Sequence, residues 1–356
     1  MSFPPSDREN TSAFEAISRH TNSMSVPSRA TWLDLCVSGS MMSRPEIASL
    51  ESRLAFDPDN IQIHIQLIGH YFVYASHESV QKHASHVHWL IANHPEVSLE
   101  GFSGILQDIA PAAYAEGKRR WRDALAQRPN DTRIIENAAQ YLTLDDPLDA
   151  TQLLRLGASL EPLSARWPVL LARLARQSAS DARSNAEQLR FGEEALLELD
   201  KALGLETSPS YRCTILVDVA ETSYLLGDVA RAKRAATQAV AGLSSLDSEM
   251  ATTYGDCSHR AHVVLGHIAL TLNDVPTARE QLAAAGAVHR SPSLLSFGPD
   301  FTLAARLLGV AERDAVLLYL EACKQLWPSH LDTLSTWKSL VERGQVPQFD
   351  IPTDRL

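Results

Sequence analysis

Long apolar runs are missing from this chain, and so is most of what marks β-structure. No stretch reaches the ~20 consecutive apolar residues that a bilayer-spanning helix needs, so no membrane partner is expected. Alternating runs of Val, Ile and Thr are scarce, and only 16 Gly stand among 356 residues. Ala and Leu lose little on entering a helix while Gly loses much, so their abundance beside scarce Gly predicts an all-α fold. Cysteine is sparse: Cys36, Cys213, Cys257 and Cys323 are scattered and form no CxxC pair. That spacing argues against a disulfide framework and fits a reduced, cytoplasmic setting. The opening MSFPPSDREN shows neither the basic nor the apolar region of a secretory signal.

Basic residues are in deficit, with 32 Lys and Arg against 43 Asp and Glu and a formal charge of −11. An acidic chain repels phosphate backbones, which argues against nucleic acid as a partner. The densest basic patch, Lys118, Arg119, Arg120 and Arg122 around Trp121, reads as the solvated face of a helix with Trp121 turned inward. Gly-rich phosphate loops, nucleophile elbows and HExxH helices are also missing. What is present is a hydrophobic fraction of 45%, enough for a folded core.

Residues 1–29, rich in Ser, Pro, Asn and Thr, read as a disordered tail. Residues 30–128 read as N-terminal helices. Pro45 opens one of them, ending near Ala55. Helical spacing of Ile61, Ile65, Ile68 and Phe72 predicts the next, and Ser79 to Asn93 another, ending before Pro95. The last two make a His-rich hairpin.

Residues 129–290 repeat a pattern. It is clearest in AETSYLLGDVARAKRAATQAVAGL, residues 220–243, where small residues at Ala220, Ala232 and Ala239 flank Tyr224 and a Gly227-Asp228 turn. Ala138, Ala150 and Gly157 repeat it earlier, between Pro129 and Pro162. Gly266, Ala269, Ala278 and Ala285 repeat it later, after a polar loop from Ser244 to Asp256. Small residues let two helices of a hairpin approach closely, and larger ones fill the groove to the next hairpin. Residues 291–345 change character and read as a helical cap. Phe297 and Phe301 are expected to anchor it, Asp300 to cap its first helix, and Gly344 to close its last helix in a left-handed conformation. Apolar positions Ala315, Leu318, Tyr319, Ala322 and Leu326 mark a helix within it. Residues 346–356 read as a loose tail.

The hairpins between about Asn130 and Ala287 resemble tetratricopeptide repeats, on the strength of Ala138/Ala150/Gly157, Ala220/Tyr224/Gly227/Ala232/Ala239 and Gly266/Ala269/Ala278/Ala285. HVHWLIANHPE, SFGPDFTLAARLL and YLEACKQLW also look like segments of a group of uncharacterised bacterial repeat proteins. The resemblance implies a right-handed α-solenoid of helical hairpins with a helical C-terminal cap. It further implies a scaffold or adaptor that holds a protein or peptide in a concave groove rather than an enzyme, with no cofactor.

The alternative is a metal-dependent enzyme or sensor, and histidine suggests it. Seven of the 13 histidines lie between His64 and His94. His83 and His86 are three apart, on one helical face, where His64 or His70 of the preceding helix can join them around a metal. A second cluster, Asp256, Cys257, His259, His262 and His267, allows a thiolate–imidazole or zinc reading. The plain counter-reading is that these are polar-face or core-edge imidazoles, and that Asp256 or Ser258 simply caps a helix.

Overall fold

The computed structural model describes residues 29–73 and 76–349, so the expected N-terminal tail and the end of the C-terminal one fall outside the described residues. The protein is all-helical, with eighteen α-helices and no strand among the described residues. No helix among them is long and apolar enough to cross a membrane. The chain divides into two compact units, Met1–Tyr141 and Leu142–Leu356.

Unit 1 holds α1 (Arg29–Ser40), α2 (Arg44–Leu54), α3 (Ile61–Val73), α4 (His77–Asn93), a 3-10 turn (Glu100–Ser103), α5 (Pro111–Gln127) and most of α6 (Thr132–Leu142). Pro45 stands in the first turn of α2, where its missing N–H costs nothing, and Glu46 accepts the Ser43 N–H at 2.8 Å. Ser76 caps α4 by accepting the Ser79 N–H. The predicted Ile65 and Ile68 are buried, but so are Ile63, Leu67 and Tyr71, while the predicted Phe72 is exposed. The face differs because α3 packs against α1 as well as α4. Where α1 and α3 cross, a Cβ on Gly39 would lie 1.9 Å from the Gln66 carbonyl oxygen, and one on Gly69 1.8 Å from that of Cys36. Only glycine at both places allows the backbones this close. Trp121 on α5 is buried, as its sequence predicts. Around it, Arg119 pairs with Glu116 and Asp123 on the surface.

Unit 2 holds α7 (Pro147–Leu160), α8 (Arg166–Ser180), α9 (Asn185–Leu205), α10 (Pro209–Leu225), α11 (Val229–Leu243) and α12 (Ser248–Thr253). There follow α13 (Gly255–Thr271), α14 (Val275–Gly286), α15 (Pro292–Phe297), α16 (Thr302–Gly309), α17 (Arg313–Leu326) and, after a 3-10 turn, α18 (Leu331–Glu342). Neighbours in sequence pack as pairs: α8 on α9, α10 on α11, α13 on α14, α16 on α17. Successive pairs then pack on each other through α9 and α10, α11 and α13, and α14 and α17. The small residues sit at these contacts, with Ala220, Ala232, Ala239, Ala278 and Ala285 fully buried.

Three of the pairs share one turn. Gly227 has φ +80°, the Asp228 N–H reaches back to the Ser223 carbonyl, and the Asp228 side chain caps α11 through the Arg231 N–H. Asn273, at φ 60°, and Asp274 repeat every part of this before α14. Ala311, at φ 65°, repeats the backbone between α16 and α17, with the Glu312 N–H on the Leu307 carbonyl. Gly344, at φ +80°, closes α18 as expected.

Other expectations are corrected. The polar stretch 244–256 is not all loop: Asp247 caps the short helix α12 through the Met250 N–H. Neither Asp256 nor Ser258 caps α13, which starts at Gly255 after Tyr254, so both lie inside its first turn. Phe301 anchors the C-terminal helices, packed edge-on to Tyr319 and Trp337, but Phe297 is 73% exposed because the Gly298 turn points it outward. Leu318 is likewise 73% exposed, since α17 buries Val316, Tyr319, Leu320 and Cys323 instead. The start of the expected loose tail is packed, with Phe349 stacked on Phe301 at 5.4 Å.

Candidate functional site

The histidines of unit 1 separate once their partners are placed. The His64 Nε2–H donates to the Pro58 carbonyl at 3.0 Å, which leaves its Nδ1 as acceptor for the His86 Nδ1–H, also at 3.0 Å. The His64 ring stacks on Trp89 at 3.6 Å. His83, three residues before His86 on α4, donates instead to the Phe102 carbonyl at 2.8 Å, and His70 hydrogen-bonds the Gly39 carbonyl. Of the predicted metal candidates here, only His64 and His86 meet. Burial, then the His64 charge, pushes His86 down to about 4, and burial lowers His64, His70 and His83 as well.

The second histidine cluster also disperses, as adjacent positions on a helix must. His259 is buried, its Nδ1–H donating to the Ala285 carbonyl at 2.9 Å and its Nε2 accepting the Asp300 N–H at 2.9 Å. One imidazole thus ties α13 to α14 and to the turn before α16. His262 turns the other way, to Gln281 at 2.8 Å. The Cys257 thiol is pushed up to about 12 by burial, with Asp256 adding to it, so it stays protonated and no thiolate–imidazole pair forms. Among the described residues no group of three or more His, Cys, Asp and Glu side chains gathers as a metal site.

What unit 2 offers instead is a groove of about 900 Å³ running across α8, α10 and α13 to the turn at residues 300–302. Val263 and Val264 give it an apolar floor, while Gln177, Tyr224, His267 and Thr302 put polar groups along it. Beside the floor lies a closed quartet of charge. Arg176 bonds Asp218 at 2.5 Å and also Glu221; Arg260 bonds Asp218 at 2.6 Å and Glu221 at 2.7 and 2.6 Å. All four side chains are at most 29% exposed. Burial pushes the Asp218 carboxyl up, but the two guanidiniums outweigh it and hold it below the usual range.

These residues carry no catalytic motif, and sequence reading missed them. A signal was present: Asp218 lies 42 positions after Arg176, and Arg260 lies 42 after Asp218. Charges of alternating sign recur at one spacing on α8, α10 and α13, the length of a hairpin with its loops.

No protein-family model matches the chain, and no curated protein matches it.

Proposed function

We propose that this protein is a cytoplasmic helical-repeat scaffold whose unit 2 receives a segment of a partner protein in the groove across α8, α10 and α13. On this reading the hairpins of unit 2 are tetratricopeptide-like and follow one another in the right-handed sense of that family. The observation that carries it is the groove itself. It crosses three successive first helices of hairpins, encloses about 900 Å³ and has an apolar floor between polar walls. The charge quartet fixes those three helices to one another, so the surface is formed before a ligand arrives.

The test is a random dodecapeptide display selection against the whole protein, repeated with Gln177→Trp and Leu225→Trp. Both positions line the groove and are exposed, so bulk there fills it without touching the core. Peptides retained by the wild type are expected to be lost from both variants, whose melting curves stay unchanged. Retention that is indifferent to both variants would place binding elsewhere and defeat the proposal.

A further inference from the structure

The charges around the groove are unevenly settled. Arg176 and Arg260 are neutralised by Asp218 and Glu221, two cations against two anions. Arg173, which lines the groove, and Arg306, which bonds the lining residues Tyr224 and His267, are exposed, and among the described residues neither forms an ion pair.

Arg306 is nevertheless held in place. Its Nη1 donates to the Tyr224 hydroxyl at 2.7 Å and to His267 Nδ1 at 2.9 Å. Neither acceptor is a carboxylate. The His267 Nε2–H donates to the Thr302 hydroxyl at 2.9 Å, which frees Nδ1 to accept. The Tyr224 hydroxyl donates to Thr271 at 3.0 Å, and Thr271 in turn donates to the His267 carbonyl at 3.0 Å. Burial, then Arg306 itself, pushes His267 down to about 4, so it does not become a competing cation at neutral pH. The groove's remaining carboxylate, Asp300, is engaged locally, accepting the Thr302 N–H at 2.7 Å at the start of α16.

A guanidinium pinned through one nitrogen still presents the N–H groups of the others, which match the two oxygens of a carboxylate. Resting on the groove reading above, we infer that the occupant is an acidic peptide segment. One Asp or Glu carboxylate pairs with Arg306, a second with Arg173, and apolar residues between them lie on Val263 and Val264. The wider chain repels such a ligand, at −11 overall. The two unpaired arginines therefore decide where it docks and make its binding dependent on salt.

The same display selection tests this. Retained peptides should be enriched several-fold in Asp and Glu over the starting library. For a selected, fluorescein-labelled peptide, Arg306→Gln and Arg173→Gln should each weaken binding about 10-fold at low salt, with Arg306→Lys falling between wild type and Arg306→Gln. Melting curves of the variants confirm that the fold is intact. If groove-dependent peptides show no acidic enrichment, or if neither Gln variant weakens them, the inference fails while the peptide-groove reading stands. If no peptide depends on the groove, both fall together.

Discussion

Ala311 occupies the left-handed region at φ 65°, a conformation in which the Cβ of an L-residue crowds the backbone and costs roughly 1 kcal/mol or more. It sits in the turn where Gly227 and Asn273 stand in the two preceding pairs. Glycine supplies that conformation without the Cβ cost, and asparagine tolerates it better than alanine. Ala311 is exposed, so its methyl contributes little packing. Ala311→Gly should therefore stabilise the protein by about 0.5–1 kcal/mol, the relief of strain exceeding the added freedom of the unfolded chain. Urea titration at neutral pH reads this directly, and a lowered midpoint would show that the turn is not strained. The same residue explains why the α16–α17 pair reads in sequence as a terminal cap. The GD and ND turn signals at residues 227–228 and 273–274 become AE at 311–312, so the shared backbone is hidden behind a residue that does not advertise it.

At the scale of helices, the sharpest constraint is the crossing of α1 and α3. The clashing atoms at Gly39 and Gly69 are backbone carbonyl oxygens, which no rotamer change can move aside. Gly69→Ala should cost about 3 kcal/mol, the upper end for overpacking. Gly101→Ala, where a Cβ meets nothing within 4 Å, is the matched control. Thermal melts that fail to separate the two variants would mean that α1 is not seated as described. Helical spacing made many elements legible: α3 and α4 fall close to where periodicity and Pro95 put them, and α10, α11, α13 and α14 fall within the stretches that read as hairpins. Which face each helix buries was less legible, because that is decided by a second neighbour. Phe72 and Leu318 fit an apolar stripe and are exposed; Gly69 fits no stripe and is the contact. The groove was still less visible. Arg176, Asp218 and Arg260 lie on three helices, and only their common spacing of 42 links them before the fold does. The histidines misled for the opposite reason. Proximity in sequence placed them on shared faces, but His64, His83 and His259 each found a backbone carbonyl of their own, as buried donors must find a partner.

At the scale of the chain, the buried histidines set the response to acid. Among the described residues burial lowers seven: His64, His70, His83, His86, His88, His259 and His267. A histidine whose folded pKa lies below its unfolded value binds its proton more readily once the chain unfolds. Its contribution is fully present above the unfolded pKa near 6.5 and is lost as pH falls toward the folded value, about 4 for His86 and His267. The charge quartet acts in a lower window. Asp218 is held below the usual carboxylate range, so its stabilisation persists above its unfolded value near 4 and disappears only beneath it. Between pH 6.5 and 4 the histidines therefore govern the loss. Each proton taken up on unfolding steepens the fall by about 1.4 kcal/mol per pH unit. Urea titrations at pH 7.5 and 5.0 should show stability dropping by several kcal/mol. Calorimetry in buffers of different ionisation enthalpy should show several protons taken up on unfolding at pH 5.0. His86→Gln and His267→Gln should flatten the slope in proportion, even where they lower stability at pH 7.5. Stability that stays level from pH 7.5 to 5.0 would mean that these imidazoles are not buried neutral, and would undo the assignment of their hydrogen bonds along with it.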